Sequence, residues 1–238
     1  MRISLALGLL PLVVGCLTNP PATARPAQAP VMPLAGADAA KQAVAAIAKM
    51  GGKVGVDPKL PGNPVVSVDL HGLRLSDAGL DVLKPLTKLG ALNLYHTPVT
   101  DASLEHLTGL VGLHTLNLSA TRVTDAGLAR LQRLPNLHAL YLNDTRITDA
   151  GMTYLRAMPN LQDLALFHTG VTDAGLAELR SLRHLQKLTL GGPAITDGGL
   201  AYLRGLSNLG YLELFGTRVT DAAVQQLHTL RPKLKIIR

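Results

Sequence analysis

Apolar residues recur along most of this chain with a period of 24 residues, counted from a series of aspartates. In the unit that contains Asp101, leucine or valine lies twelve, nine, seven and two positions before the aspartate. Leucine follows it at three, six and nine positions. The aspartates are Asp77, Asp101, Asp125, Asp149, Asp173, Asp197 and Asp221. A fixed period of this length predicts a solenoid of seven stacked coils.

Within one coil, the apolar spacing changes from that of a strand to that of a helix. Leu92 and Leu94 lie two positions apart, as in a short extended segment, whereas Leu104, Leu107 and Leu110 follow the three-residue step of a helical stripe. One coil buries too little apolar surface to offset its chain entropy, but stacking joins the leucines of all coils into one core. The sequence therefore predicts parallel strands on one face of the solenoid and helices on the other.

The turn from strand to helix has the most uniform sequence, which reads Thr-Arg-Val-Thr-Asp-Ala-Gly-Leu at residues 121–128. Threonine and aspartate are both good helix N-caps, so we expect each aspartate to lie at its own helix terminus and interact with the helix dipole. Glycine two positions after most of the aspartates indicates close packing between coils. A ladder of calcium ions is the rival interpretation, but no second acidic column supplies the six or more oxygen ligands it needs.

The string L-x-x-L-x-L-x-x-T-x-V-T-D-A-G-L resembles the leucine-rich repeat superfamily, in the variant related to the cysteine-containing repeats of F-box proteins. The resemblance covers residues 65 to 238. It implies an α/β fold, a right-handed horseshoe with a parallel β-sheet on the concave face and helices on the convex face. Threonine stands in five coils where that variant has cysteine or asparagine, with Leu73 in the first coil and Pro193 in the sixth. A threonine hydroxyl can still bond the backbone in the turn, whereas proline cannot.

The N-terminal residues indicate export. Residues 3–15 form an apolar stretch that is too short to span a membrane and is typical of a signal-peptide core. It ends at Val13-Val14-Gly15-Cys16, which resembles the bacterial lipobox, where the cysteine is lipidated and becomes the first mature residue. Cys16 is the only cysteine, so it has no internal disulfide partner. Cleavage after Ala24 or Ala29, giving a soluble secreted or periplasmic protein, is the alternative.

These features divide the chain into five parts. The predicted parts are a signal peptide at 1–15, a lipidated cysteine with a Pro/Ala-rich tether at 16–37, an N-terminal cap at 38–64, seven leucine-rich repeats at 65–232 and a terminal strand at 233–238. Within the cap, the sequence predicts a helix at 39–50 and a strand near 53–56.

The formal net charge is +7 at pH 7, and the basic excess is diffuse. Part of it forms a column on the helical side, seven residues after the aspartates: Lys84, Arg156, Arg180, Arg204 and His228. A solvated convex face explains this column more simply than a docking stripe for an anionic membrane or glycan. Aromatic and basic residues do not interleave as they do in single-strand binders, so we expect no nucleic-acid partner.

The positions predicted to face outward from the strands lie eleven, ten, eight, six and five residues before each aspartate. They hold five of the seven aromatic residues and five of the eight histidines, although they are only five positions in 24. Packing between strands explains single aromatic residues, but it does not explain why the histidines collect on the same face. The predicted ligand-binding residues of the concave face are Tyr95, His96, Asn117, Tyr141, Asn143, Asp144, Phe167, His168, Tyr211 and Phe215.

Signals for catalysis are missing from the sequence. It has no GxSxG, HExxH or phosphate-loop motif. His114 and His138 occupy the same position in adjacent coils, but together they would give a metal ion only two ligands. We therefore predict a non-enzymatic protein that needs no cofactor and no metal.

Two interpretations of function stay open. The first is a binding module tethered to the cell envelope that recognises a protein or glycan on its concave face and touches the membrane only through its lipid anchor. The second is a structural spacer of the envelope. For the first, we expect a site centred on coils two to five, with Gly191 and Gly192 separating it from a secondary contact at Tyr211 and Phe215.

Overall fold

A computed structural model of the protein describes residues 35–238. The predicted signal peptide, Cys16 and most of the Pro/Ala-rich tether lie outside the described residues. Nine strands form one sheet in chain order. They are β1 (Lys53–Val56), β2 (Val65–Asp69), β3 (Ala91–Asn93), β4 (Thr115–Asn117), β5 (Ala139–Tyr141), β6 (Asp163–Leu166), β7 (Lys187–Gly191), β8 (Tyr211–Phe215) and β9 (Lys235–Ile237).

The sheet is parallel from β2 to β9, and its register follows the sequence period. Leu92 lies opposite Leu116, and Leu140 lies opposite Leu164, so paired residues are 24 positions apart. Only β1 runs antiparallel, beside β2. The predicted α/β solenoid with a parallel sheet is confirmed.

The helical side is less regular than predicted. The α-helices are α1 (Ala35–Lys49), α2 (Asp125–Leu131), α3 (Asp149–Met152), α4 (Asp173–Leu176), α5 (Asp197–Leu203) and α6 (Asp221–Leu230). Shorter 3-10 helices cover Asp77–Leu83, Ala102–Leu107, Thr153–Ala157 and Ala177–Ser181, so the first two coils contain no α-helix and two others change type after one turn. The leucine step of three residues is compatible with the 3.0 residues per turn of a 3-10 helix, but the coils with α2 and α5 share this step, so it does not by itself decide the helix type.

The core is a stack of leucine layers between sheet and helices, and Leu140, Leu164 and Leu188 are fully buried in it. Beside these layers runs a column of threonines whose hydroxyl groups donate to backbone carbonyls. Thr97 donates to Leu94 at 2.7 Å and Thr121 donates to Leu118 at 2.6 Å. The prediction that threonine can satisfy the backbone at this position is therefore confirmed.

From Asp125 onward the recurring aspartates begin their own α-helices, as predicted, but the side chain that caps each of these helices is the preceding threonine, so the capping role expected of the aspartate was wrong. The N-cap of α4 is Thr172, whose side chain accepts a hydrogen bond from the Ala174 N–H. The Asp149 carboxylate accepts instead from the Thr172 N–H at 2.7 Å and from its hydroxyl at 2.6 Å, one coil further on. We call this pairing the Asp–Thr link; it also joins Asp101 to Thr124, Asp125 to Thr148, Asp173 to Thr196 and Asp197 to Thr220.

The glycines two positions after the aspartates leave room for these links. A Cβ atom at Gly151 would lie 2.2 Å from Asp125 Oδ1, and one at Gly175 would lie 2.3 Å from Asp149 Oδ1. The predicted close packing between coils is confirmed, and its cause is the carboxylate of the preceding coil. In the second coil, the Ser103 hydroxyl uses this space to donate to Asp77.

The two ends of the solenoid are covered in different ways. Arg238 donates to the Asp221 carboxylate and to the Val219 carbonyl, taking the place that the next coil's threonine has elsewhere. At the other end, α1 buries Ala43 and Ile47 in the core. No helix within residues 35–238 is long and apolar enough to cross a membrane.

Truncating a core leucine in a coil that has neighbouring coils on both sides should strongly lower the stability of the protein. We expect Leu164→Ala to lower the free energy of unfolding by about 2–5 kcal/mol, because it opens a cavity that the stacked layers cannot fill. Val111→Ala is the control, since Val111 is 55% exposed, and it should change stability by less than about 0.5 kcal/mol. Denaturant titration of both variants measures the difference, and equal stabilities would contradict the layered core.

The Asp–Thr link predicts an energetic coupling between Asp125 and Gly151. Gly151→Ala alone should destabilise the protein by about 1–3 kcal/mol, because the new Cβ meets the Asp125 carboxylate. Asp125→Ala alone should cost about 1–3 kcal/mol through lost hydrogen bonds to Thr148.

In the double variant the methyl group loses its closest contact, and the next side-chain atom, Leu128 Cδ1 at 3.2 Å, has to shift by only a few tenths of an ångström. The two costs should therefore fail to add by at least about 1 kcal/mol in a double-mutant cycle. Additivity within about 0.3 kcal/mol would show that the glycine is not there for the carboxylate.

Candidate functional site

The amino-terminal half of the concave face carries a column of polar side chains that support the backbone. Asp69, Asn93 and Asn117 occupy equivalent positions on β2, β3 and β4. Each accepts a hydrogen bond from the N–H two residues later; Asn117 Oδ1 lies 3.0 Å from the Ser119 nitrogen. Together with Tyr141, these side chains line a depression of about 460 Å³. The sequence placed Asn117 in the binding site, and the structure gives it a role at the strand end.

Tyr141 ends this depression and forms a contact between coils. Its hydroxyl donates to Asp163 Oδ2 at 2.8 Å. Burial and this hydrogen bond raise the pKa of Tyr141 to about 12, so the phenol stays neutral and remains a donor at physiological pH. The second oxygen, Asp163 Oδ1, is buried and has no hydrogen-bond partner among the described residues.

The column five residues before the aspartates lies in a turn beyond the strands, and not on the strands as predicted. Its residues have left-handed backbone conformations: Gly72, His96, Ala120, Asp144, His168, Gly192 and Gly216 all have positive φ. This conformation favours glycine, yet four coils place a larger residue there, with φ of 53–55°. We call this column the rim. Its side chains project where the strands end.

Three aromatic rings from coils five and seven form a cluster at the rim. Phe167 stacks on His168, with ring centroids 4.1 Å apart and planes 20° apart. Phe167 also meets Phe215 edge-to-face at 6.2 Å and 90°. We call Phe167, His168 and Phe215 the aromatic cluster.

The cluster contradicts the prediction that Gly191 separates Phe215 from the main site. A Cβ atom at Gly191 would lie 2.1 Å from Phe167 Cδ2, so the glycine makes the space that the Phe167 ring fills. Gly191 lies opposite Phe215 in the sheet register, and the two phenylalanines meet across it. Because Gly191 has no side chain, Phe167 and Phe215 can meet, and their contact joins the fifth and seventh coils.

Polar side chains of the preceding coil hold the aromatic cluster in place. Asn143 Oδ1 accepts a hydrogen bond from the Phe167 N–H at 2.8 Å. Asp144 Oδ1 lies 3.1 Å from Nδ1 of His168. Both residues were predicted to bind a ligand directly; in the structure Asn143 bonds the Phe167 backbone and Asp144 contacts the His168 ring.

The remaining predicted residues lie apart from the cluster. Tyr95, 45% exposed, and His96 are tilted neighbours with centroids 6.0 Å apart, three coils before Phe167. Tyr211 lies between Lys187 and Lys235, whose ammonium groups are each 5.4 Å from its ring centroid. Its hydroxyl donates to Glu213, which raises the pKa of Tyr211.

The histidines in the outermost strand column do not converge. His114 packs over Gly90, where an added Cβ would lie 2.5 Å from its Nε2. His138 bonds the Asn136 carbonyl through Nδ1. Within residues 35–238, no group of three or more His, Cys, Asp or Glu side chains is placed to hold a metal ion.

The convex basic column is partly occupied by internal contacts, in agreement with its interpretation as a solvated face. Arg156 pairs with Glu178, and the Arg180 guanidinium lies 4.5 Å above the Tyr202 ring. Sequence reasoning missed a second basic column, at the strand-to-helix turns: Arg74, Arg122, Arg146 and Arg218. The signal that could have found it is their common position three residues before an aspartate.

Comparison with known proteins identifies the class of repeat. A family model described as "Leucine Rich repeat" matches residues 133–155 and 157–179. A comparison with curated proteins finds no match. The chain therefore contains leucine-rich repeats, and its fold is an α/β leucine-rich-repeat solenoid.

Solved structures of two internalins from Listeria monocytogenes str. 4b F2365 are similar to this fold. Internalin C2 (inlC2) is 23% identical with a TM-score of 0.55, over 82% of this chain and 90% of that chain. The internalin inlF is 23% identical with a TM-score of 0.56, over 83% of this chain and 62% of that chain. The chain thus spans less than two thirds of the inlF structure, and similarity at this identity concerns the fold alone.

Proposed function

We propose that this protein is a non-enzymatic binding module that recognises a protein partner at the rim of its concave face. The aromatic cluster is the observation that carries this proposal. Phe167, His168 and Phe215 come together from coils five and seven, and Phe215 remains 38% exposed. Aromatic side chains, phenylalanine among them, are enriched in protein interfaces relative to the rest of the surface.

The cluster is pre-organised, which lowers the entropy lost on binding. Gly191 provides the space for Phe167, and Asn143 fixes the Phe167 backbone through the Phe167 N–H. The parallel sheet beneath is held by the Asp–Thr links on one edge. Partner residues would therefore meet rings that already have their bound arrangement.

The geometry favours a protein over a glycan as the partner. A sugar stacks on a free ring face, but Phe167 is stacked on His168 and meets Phe215 edge-to-face. In the depression near Tyr141, Asn93 and Asp69 bond each other, and Asn117 bonds the backbone, so few of these polar groups are left for sugar hydroxyls. An apolar side chain packed against the exposed edge of the cluster fits better.

We further propose that the protein is exported and anchored to a bacterial envelope membrane by lipid on Cys16. Support comes from the apolar stretch at 3–15, the lipobox-like Val13-Val14-Gly15-Cys16 and the absence of any other cysteine from the sequence. A lipid anchor would place the binding module at the membrane surface and explain a lone cysteine in an exported chain.

Truncating the aromatic cluster should weaken partner binding. We expect Phe167→Ala and Phe215→Ala each to cost more than about 1 kcal/mol of binding free energy, because they remove anchor residues. Arg180→Ala, on the convex face, is the control and should leave the affinity unchanged. The measurement is the Kd of a partner isolated from envelope extract and identified, for wild type and for each variant with an unchanged circular dichroism spectrum.

The outcomes separate the alternatives. Equal affinity of all three variants for the partner would remove the aromatic cluster as the site. Binding to a purified envelope glycan, with no protein partner, would favour the glycan interpretation. If neither a protein nor a glycan binds, the structural spacer becomes the better explanation.

The lipid anchor has its own test. We expect Cys16→Ser to abolish labelling by a fatty-acid probe and to move the protein from the membrane fraction to the soluble fraction, because serine cannot take the place of the modified thiol. Wild-type protein that takes up no label, or a variant that still fractionates with the membrane, would sink the lipoprotein proposal.

A further inference from the structure

Arginines of the strand-to-helix turns have no internal partner. Arg74, Arg122 and Arg146 are exposed. Within residues 35–238, none of the three side chains forms an ion pair or a hydrogen bond. Several other arginines do have partners; Arg130 and Arg133, for example, both bond Glu105. The turn column therefore presents guanidinium groups that the fold does not use.

These arginines stand on a fixed backbone. The Arg122 N–H donates to the Val99 carbonyl at 3.0 Å, and the Arg146 N–H donates to the Val123 carbonyl at 3.2 Å. Successive coils are spaced by about 4.8 Å, so Arg122 and Arg146 are direct neighbours and Arg74 lies two coils away. A row of like charges at this spacing is unfavourable unless an anion neutralises it.

The nearest acidic column does not neutralise the row. Asp101 and Asp125 lie three residues after the equivalent turn positions, but their carboxylates are bonded to Thr124 and Thr148 by the Asp–Thr links. Both aspartates are partly buried, whereas the arginines are exposed. Apart from the exposed Asp144 carboxylate, which contacts the His168 ring, the outermost charges of this edge are positive.

A groove of about 770 Å³ runs along the same edge. Arg74, Arg122, His96 and Asp144 are among its lining residues. His96 keeps its ring in the groove although its backbone has the left-handed conformation, with φ of 54°, that favours glycine. Strain of this kind clusters at ligand sites, and Ala120, with the same conformation, shows that the fold tolerates it.

The groove continues into the aromatic cluster. Asp144 lines the groove and also bonds His168 of the cluster at 3.1 Å. One extended partner could therefore contact both. Guanidinium groups match carboxylates in a two-bonded geometry, and the rings at the far end need an apolar contact.

We propose that the groove, together with Arg146 of the next coil beyond its lining, binds an extended acidic segment of the protein partner, with its carboxylates on Arg74, Arg122 and Arg146. This inference rests on the proposed function, because a protein segment satisfies both the basic groove and the aromatic cluster. A uniformly anionic glycan would leave the cluster unused. Arginine pairing with the acidic segment adds specificity and speeds association.

The test uses the full chain and a fluorescein-labelled octapeptide of glutamate, with Kd measured by fluorescence anisotropy at low and moderate salt. The groove variant carries Arg74→Gln, Arg122→Gln and Arg146→Gln together. The control carries Lys88→Gln, Arg183→Gln and Arg204→Gln, which remove the same charge from exposed positions outside the groove. Thermal melting checks that both variants fold.

We expect the groove variant to bind the peptide about tenfold more weakly, because three exposed ion pairs with modest individual contributions are lost. The control should stay within about twofold of wild type. Equal weakening in both variants would show attraction by net charge alone and overturn the proposal. A sulfated hexasaccharide that binds more tightly than the peptide, and loses affinity in the groove variant, would overturn the choice of an acidic protein segment.

A further variant separates this inference from the proposed function. Phe167→Ala should leave the octapeptide affinity unchanged, because the peptide has no apolar anchor for the cluster. A groove that binds the peptide while the cluster fails to bind any partner would support the groove and refute the cluster. Loss of peptide binding in Phe167→Ala would contradict the separate role of the arginines.

Discussion

The hydrogen-bonded link between the aspartate of one coil and the threonine of the next is the constraint on which the rest of this structure depends. Asp149 accepts from both the N–H and the hydroxyl of Thr172, and the same hydroxyl accepts from the N–H of Ala174 in its own helix. One threonine thus fixes the contact between coils and the start of a helix. The glycine that leaves room for the carboxylate must keep its place as well. A one-residue insertion between the aspartate and the next threonine would misplace all of these groups, which explains physically why the period of 24 does not slip.

The Asp–Thr links help to fix the backbone of the rim. They lie at the strand-to-helix turns, a few residues beyond the rim, and they tie each turn to the next coil. The rim residues therefore project from a backbone that is held on one side by the sheet ladder and on the other by the links. The His96 N–H, for example, donates to the Ser119 carbonyl at 2.9 Å, and the Asp144 N–H donates to the Phe167 carbonyl at 2.8 Å. Binding at such a surface loses little backbone entropy, which removes one of the costs that oppose association.

The sequence period was sufficient to predict the strands, the leucine layers and the threonine bonds, because each of these depends on residues that recur at the same position of every coil. It could not predict contacts that depend on what differs between coils. From the sequence, Gly191 was expected to interrupt the binding site, but its lack of a side chain allows Phe167 and Phe215 to meet across the intervening coil. The aspartate pattern was compatible with a helix cap and with a link to the next coil, and a single sequence cannot distinguish a contact within a coil from one between coils. The arginine column was missed for a simpler reason: its position was not counted among the outward-facing ones.

The rim shows how such a solenoid separates stability from recognition. The left-handed backbone conformation of the rim costs a residue other than glycine about 1–2 kcal/mol. Three coils have glycine at this position: Gly72, Gly192 and Gly216. Ala120 accepts that cost without a polar side-chain contact, whereas Asp144 and His168 offset part of it by bonding each other across coils. Because no rim side chain reaches the leucine core, a change of side chain there alters the surface chemistry without disturbing the layers or the Asp–Thr links. The same backbone can therefore present a basic groove at one end of the rim and aromatic rings at the other.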